Sequence, residues 1–276
     1  MAHSIKRWFA FIRILIHRFN ESGCTYRAAA LTFTSLLSLV PLMTVSLGIL
    51  AAFPEFRHFG QAIQDFIFAN FVATSGQVIQ NYLQTFVEHA AQLSSIGLFF
   101  LLITAISMMF TLERTLNAIW RVKTGRPWIS AILLYWTMLT LSPILIGVGF
   151  AVSSYVTSLS FVTTAAKTLG LTKPLLSIMP FFLSLIAFTL LYIAVPNCQV
   201  PLRYGFYGAL TASISFEIAK FLFTLYVTHF PTYEFLYGAL AAIPIFLLWV
   251  YVCWLLTLAG AVVSNTLFVN HNAQEK

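Results

Sequence analysis

The stretch GFYGALTASISFEIAKFLFTLYV, residues 205–227, decides the fold. Its 23 residues are enough for one helix to cross a bilayer, whose ~30 Å hydrocarbon core takes about 20 apolar residues at 1.5 Å rise each. Near its middle stand one acid and one base, Glu217 and Lys220. A charge at the centre of a spanning helix costs roughly 2.5–3.5 kcal/mol, so such residues are paired, face water or protein, or do work. Three positions apart, the two lie ~4.5 Å from each other along the axis and on one face. They can neutralise each other, either as a structural staple or as a substrate- or ion-binding site. Snorkelling outward is awkward for Lys220, because the Cα–Cβ bond tilts toward the helix N-terminus. The first half of the stretch carries Gly205, Gly208, Ala209, Ala212 and Ser213. Gly208 and Ala212 form a small-xxx-small pattern that admits a second helix backbone closely, which predicts that this face turns into protein.

The rest of the chain repeats the theme. Residues 31–53, 93–112, 129–152, 175–195 and 238–262 contain no charged residue, and each block is 20 to 25 residues long. With 205–227 they make six candidate spans and an all-α, polytopic membrane protein, read as a single integral membrane domain over residues 1–276. Composition agrees: 59% of residues are apolar and only 8% charged, against ~25% charged in soluble domains.

The net charge of +7 is explained by orientation. With the N-terminus cytoplasmic, eleven of the fifteen Lys and Arg residues fall on the inside, among them Arg13, Arg18, Arg121 and Arg203. Only Arg57, Lys167 and Lys173 fall outside. This asymmetry predicts an N-in, C-in topology, and no nucleic-acid partner is needed to account for the basicity. It also puts Cys24 and Cys198 inside and Cys253 within the last span, so no structural disulfide is expected.

Residues 1–30 form a basic, amphipathic cytoplasmic segment. Ile5, Trp8, Phe9, Ile12, Ile16 and Phe19 recur at helical spacing, with Lys6, Arg7, Arg13 and Arg18 largely off that face. The segment reads as a helix on the inner leaflet or as one packed on the bundle; Arg13 and Arg18 interrupt any signal-peptide core. The periplasmic segment 54–92 is expected to hold two amphipathic helices broken near residues 74–76, lying where they can cap the bundle. Pro41, Pro143 and Pro244 predict kinks in the first, third and sixth spans.

Between the second and third spans runs ERTLNAIWRVKTGRPW, residues 113–128, with Arg114, Arg121, Lys123 and Arg126 beside Trp120 and Trp128. These residues either anchor the chain at headgroup level or form a headgroup-binding site for anionic lipid. The ingredients of hydrolytic chemistry are sparse. The chain has a single aspartate, Asp65, expected outside; its histidines lack ligand spacing, and no Walker-type phosphate loop occurs. Neither a metal, a cofactor nor a catalytic residue is expected, and the chain is read as a non-enzyme.

AAALTFTSLLSLVPL (28–42), FIFANF (66–71), GQVIQNY (76–82), ERTLNAIWRVKTGRP (113–127), YWTMLTLSP (135–143), VPNCQVPLR (195–203), FEIAK (216–220) and FPTYEFLYGALAAIPIFLLWVY (230–251) together carry a family resemblance. The chain resembles the YihY/BrkB-like bacterial inner-membrane proteins, a family once labelled a ribonuclease. The resemblance implies six membrane-spanning helices, multi-pass residence in the inner (plasma) membrane, and a part in envelope integrity and lipid export. The sixth span departs from the family's LLGAE motif: it reads LAGAV, with Val262 at the usual glutamate. A role for that acid therefore does not carry over.

Three function classes follow. The favoured one is a transporter or exporter component for lipids or other amphiphiles, using Glu217 and Lys220 and driven by an ion gradient, by facilitated flow or by a partner. The second is a non-transporting scaffold or partner of envelope lipid-trafficking machinery. A ribonuclease is the least favoured. Membrane lipids and envelope lipid-transport proteins are the expected partners, with a homo-oligomer left open.

Overall fold

The computed structural model describes residues 2–52, 95–158, 172–229 and 241–274, and these residues are helical, without strands. Seven helices follow in order: α1 (Ala2–Glu21), α2 (Cys24–Ala52), α3 (Ser95–Ile119), α4 (Trp128–Ser158), α5 (Thr172–Ala194), α6 (Leu202–His229) and α7 (Ala242–Gln274). Helices α2 to α7 coincide with the six apolar blocks and extend past most of their ends. Over the described residues, two of them, Leu202–His229 and Ile243–Asn272, are long and apolar enough to cross a membrane. The segment 54–92, where two amphipathic helices were expected, lies outside the described residues.

Polar residues enter these apolar helices by bonding to their own backbone. Thr32, Thr111, Thr115, Ser184 and Thr189 each donate a hydroxyl to the carbonyl four residues earlier, at 2.6–2.8 Å. Helices α2 and α4 run unbroken through Pro41 and Pro143. Pro244 is the third residue of α7, in the first turn, where the missing N–H would have had no helical partner. It therefore starts the helix instead of kinking a span. Pro180 is the proline inside α5.

Helix α7 touches α1, α2, α3, α5 and α6, and α6 packs most extensively against α7 and α5. The main core joins Cys24, Ala28 and Leu31 of α2 to Leu112 and Leu116 of α3, Tyr192 of α5, Ala209 and Ala212 of α6, and Leu258, Ala261 and Val262 of α7. Val262 thus fills core space. A second cluster gathers Phe216 and Phe223 of α6 around Ile245 and Trp249 of α7. The outer faces are apolar as well: Phe33, Leu133, Phe182 and Phe221 are all half or more exposed. A continuous apolar exterior is what a bundle in a nonpolar medium presents.

The small residues of α6 do what their spacing predicts. A Cβ at Gly208 would lie 2.6 Å from the Gly260 carbonyl oxygen and 2.7 Å from Ser264 Cβ. A Cβ at Gly260 would lie 2.8 Å from both the Gly208 carbonyl oxygen and Ala212 Cβ. The two glycines meet backbone to backbone, each Cα facing the other's carbonyl, the arrangement of a Cα–H···O contact. Beside them Tyr192 donates its hydroxyl to the Thr257 carbonyl at 2.7 Å, tying α5 to α7.

Helix α1 divides its apolar stripe. Leu15 and Phe19 pack against the main core, and Arg18 Nη1 donates to Asn265 Oδ1 at 3.1 Å. Ile12 and Ile16 stay exposed. The turn into α2 depends on Gly23, whose φ of 61° is left-handed, with its N–H on the Asn20 carbonyl at 2.9 Å.

Gly260→Val is expected to destabilise the bundle by at least the ~1–3 kcal/mol typical of overpacking, because backbone atoms of α6 cannot yield. Gly125→Ala, where a Cβ meets nothing within 4 Å, should leave the protein unchanged. Thermal unfolding in detergent compares them.

Candidate functional site

Glu217 and Lys220 lie about midway along α6, between its buried and exposed faces. Phe216 and Ser213 on one side are buried, while Ile214, Ile218 and Phe221 are exposed. Glu217 Oε1 takes the Lys220 ammonium at 2.7 Å, an i,i+3 pair within one helix. The pair is only partly covered, with 21% of the lysine and 37% of the glutamate side chain exposed. Lys220 Nζ lies 5.6 Å from the Phe216 ring centroid, near the outer reach of a cation–π contact. Behind it the Phe216 ring meets Trp249 at 5.7 Å and Phe188 at 6.3 Å, so the pair borders an aromatic wall shared by α5, α6 and α7.

A second charged centre closes one end of the bundle, at the α3–α4 turn. Glu113 is 4% exposed. One carboxylate oxygen accepts the Tyr135 hydroxyl of α4 at 2.7 Å, and the other accepts Asn117 Nδ2 at 3.3 Å and faces Arg126 Nε at 3.8 Å. Arg126 also reaches the carbonyls of Ala194, Val195 and Pro196 at 3.3–3.4 Å. These carbonyls end α5, where a helix lacks internal donors and its dipole favours a cation. Asn117 Oδ1 accepts the Asn197 N–H at 2.7 Å, and Asn197 Nδ2 donates to the Thr124 carbonyl at 3.1 Å. One network thus clamps α3, α4 and the α5–α6 connection. Sequence reading missed Glu113 because it looked like the first charge of a solvated loop. The available signal was Glu113 and Asn117 at i,i+4, on one helix face.

The four basic residues expected at headgroup level are not brought together. Arg126 turns inward onto Glu113. Arg114 lies 4.2 Å over the Phe110 ring, and Lys123 is exposed. Arg121 bonds Glu21 of α1 at 2.8 Å. It has a φ of 54°, unusual outside glycine, and ends α3 in a Schellman turn: its N–H bonds the Ala118 carbonyl at 3.2 Å and Val122 N–H bonds Asn117 at 2.9 Å. Holding a residue with a Cβ in this conformation costs about 1 kcal/mol relative to glycine. Among the described residues, no group of three or more His, Cys, Asp or Glu could hold a metal.

Two outcomes are expected. Arg126→Met should destabilise the protein by about 3 kcal/mol, since it leaves the Glu113 carboxylate buried without its cation. Adding Glu113→Gln should recover part of that loss in thermal unfolding. Cys198, next to Asn197, has its thiol pKa raised by burial. With Cys24 and Cys253 replaced by serine, its alkylation at pH 8 should be slower than that of a free thiol, and as fast once the protein is unfolded.

The family model for virulence factor BrkB matches residues 15–276. The chain is 47% identical over 261 residues to the UPF0761 membrane protein of Legionella pneumophila (strain Corby), covering 95% of this chain and 62% of that protein. It is 49% identical over 251 residues to the UPF0761 membrane protein of Azotobacter vinelandii, covering 91% and 61%. The corresponding protein of Pseudomonas aeruginosa (strain LESB58) is 46% identical over 252 residues, again covering 91% and 61%. The chain therefore spans about 62% of the length of the curated relatives it matches. No solved structure matches it. The chain is therefore a membrane protein and belongs to the YihY/BrkB-like family.

Proposed function

We propose that this protein is a six-span, N-in, C-in protein of the bacterial inner membrane that carries a lipid or similar amphiphile for the cell envelope. The observation that carries this reading is the incompletely covered Glu217–Lys220 pair, midway along a helix apolar enough to cross the bilayer. A charged pair in that position is costly and is kept where it is paired, faces water or protein, or does work. Its place between a lipid-type face (Ile218, Phe221) and an aromatic wall suits an amphiphile: a phosphate can exchange onto Lys220 as Glu217 is released, while acyl chains stay on the apolar face. Arg114, Arg121 and Lys123 would hold headgroups at the inner surface, with Arg126 committed to the Glu113 clamp. No ATP-binding motif is apparent in the sequence, so an ion gradient, downhill flow or a partner would supply the drive.

The test is reconstitution of the full chain into vesicles of phosphatidylethanolamine and phosphatidylglycerol carrying a fluorescent phospholipid, with and without a proton gradient. Translocation, read by chemical quenching of the outer leaflet, should depend on the protein. Lys220→Met and Glu217→Gln should each slow it by about tenfold or more, equivalent to ~1.4 kcal/mol, while inserting normally. If the unaltered protein moves no lipid, the non-transporting scaffold or trafficking-partner reading replaces this one. Variants that move lipid at the full rate would make the pair structural.

A further inference from the structure

Helix α1 and the end of α3 border an open cleft of about 480 Å³ lined by Arg13, Ile14, His17, Arg18, Glu21 and Arg121. Its volume lies within the ~300–1,000 Å³ range of small-ligand sites. Three arginines and one glutamate line it, a net charge of +2 before His17 is counted, and apolar atoms form most of its surface. Each guanidinium has five N–H donors. The bond to Glu21 uses one nitrogen of Arg121, and the bond to Asn265 uses one nitrogen of Arg18. Donors in this fork geometry match the oxygens of a phosphate.

We infer that this cleft binds the phosphate of an anionic phospholipid headgroup at the inner surface of the membrane. Two further features favour a lipid over a soluble anion. Ile12, Ile14 and Ile16 of α1 are exposed next to Arg13 and His17, so apolar side chains able to meet acyl chains adjoin the cationic ones. Tyr26 and Trp128, 86% and 72% exposed, stand at the same end of the bundle, the position of interfacial aromatic side chains. Arg121 adds a third consideration. Glycine suits its left-handed backbone better, so the side chain and not the conformation is what the position supplies. The inference rests on the membrane orientation proposed above but not on transport.

The chemistry separates structure from binding. Arg121→Gly relaxes the left-handed turn while removing the guanidinium, and Arg13→Gln removes a cation from an exposed site. Arg18 is left intact because it also holds Asn265. The full chain, purified in detergent, is offered equal amounts of phosphatidylglycerol and phosphatidylcholine, and retained lipid is read by native mass spectrometry. The unaltered protein should retain phosphatidylglycerol preferentially, and each substitution should lower that preference about fivefold, the effect of one cationic side chain near an anionic surface. The melting temperature should not fall in either variant. Equal retention of the two lipids overturns the proposal. So does displacement of phosphatidylglycerol by an equal concentration of inorganic phosphate, which would make this a free-phosphate site. A preference lost with Lys123→Gln but kept in the Arg13 and Arg121 variants overturns it too, by moving the headgroup contact to the loop.

Discussion

The backbone contact between Gly208 and Gly260 governs how the rest of the bundle is arranged. In lipid no hydrophobic force drives one apolar helix onto another, because acyl chains are as apolar as leucine. Association must come from close packing, weak polar contacts and lipid entropy, and these need backbones to approach. With each glycine's Cα against the other's carbonyl, α6 and α7 come close enough for Ala212 and Ser264 to complete the seam. That contact sets the rotation of α6 about its axis. It commits Phe216 and Phe223 to the aromatic cluster with Trp249, leaves Ile218 and Phe221 outside, and thereby strands Glu217 and Lys220 on the border between them.

Charge along the bundle is arranged at two depths and handled differently at each. At mid-helix Glu217 and Lys220 pair within a single turn and are only partly covered. At the end where α3 meets α4 it is used to join elements: Glu113 collects Tyr135, Asn117 and Arg126, and Arg126 covers the carbonyls at the end of α5. A buried carboxylate is tolerated there because several donors converge on it. Outside this clamp, on the same end, Arg13 and Arg121 remain at the surface. A polar collar therefore lies beside a cationic surface.

The six long helices were legible because hydrophobic runs near 20 residues have few other interpretations, and the α6–α7 approach was legible because small residues every fourth position mark a close helix crossing. Pro244 misled, since proline restricts a helix interior but not its first turn, and the start of α7 is not written in composition. The basic loop misled more. Arg114, Arg121, Lys123 and Arg126 are equivalent cations in a sequence, yet one is a helix cap, one stacks on an aromatic ring and one ends a helix in a left-handed turn.

By itself the sequence determined that this is an all-helical membrane protein, where its long helices lie, and that Glu217 and Lys220 would meet. Each of these depends on residues near one another in the chain, through period and spacing. Only the tertiary structure decided that Glu113 is a buried hub, that Arg126 faces inward, and that α1 folds back to make a cationic cleft with Arg121. These rest on partners far apart in the chain: 100 residues separate Glu21 from Arg121, and 247 separate Arg18 from Asn265. No local pattern records which distant carboxylate, carbonyl or cation a side chain will meet once helices have packed.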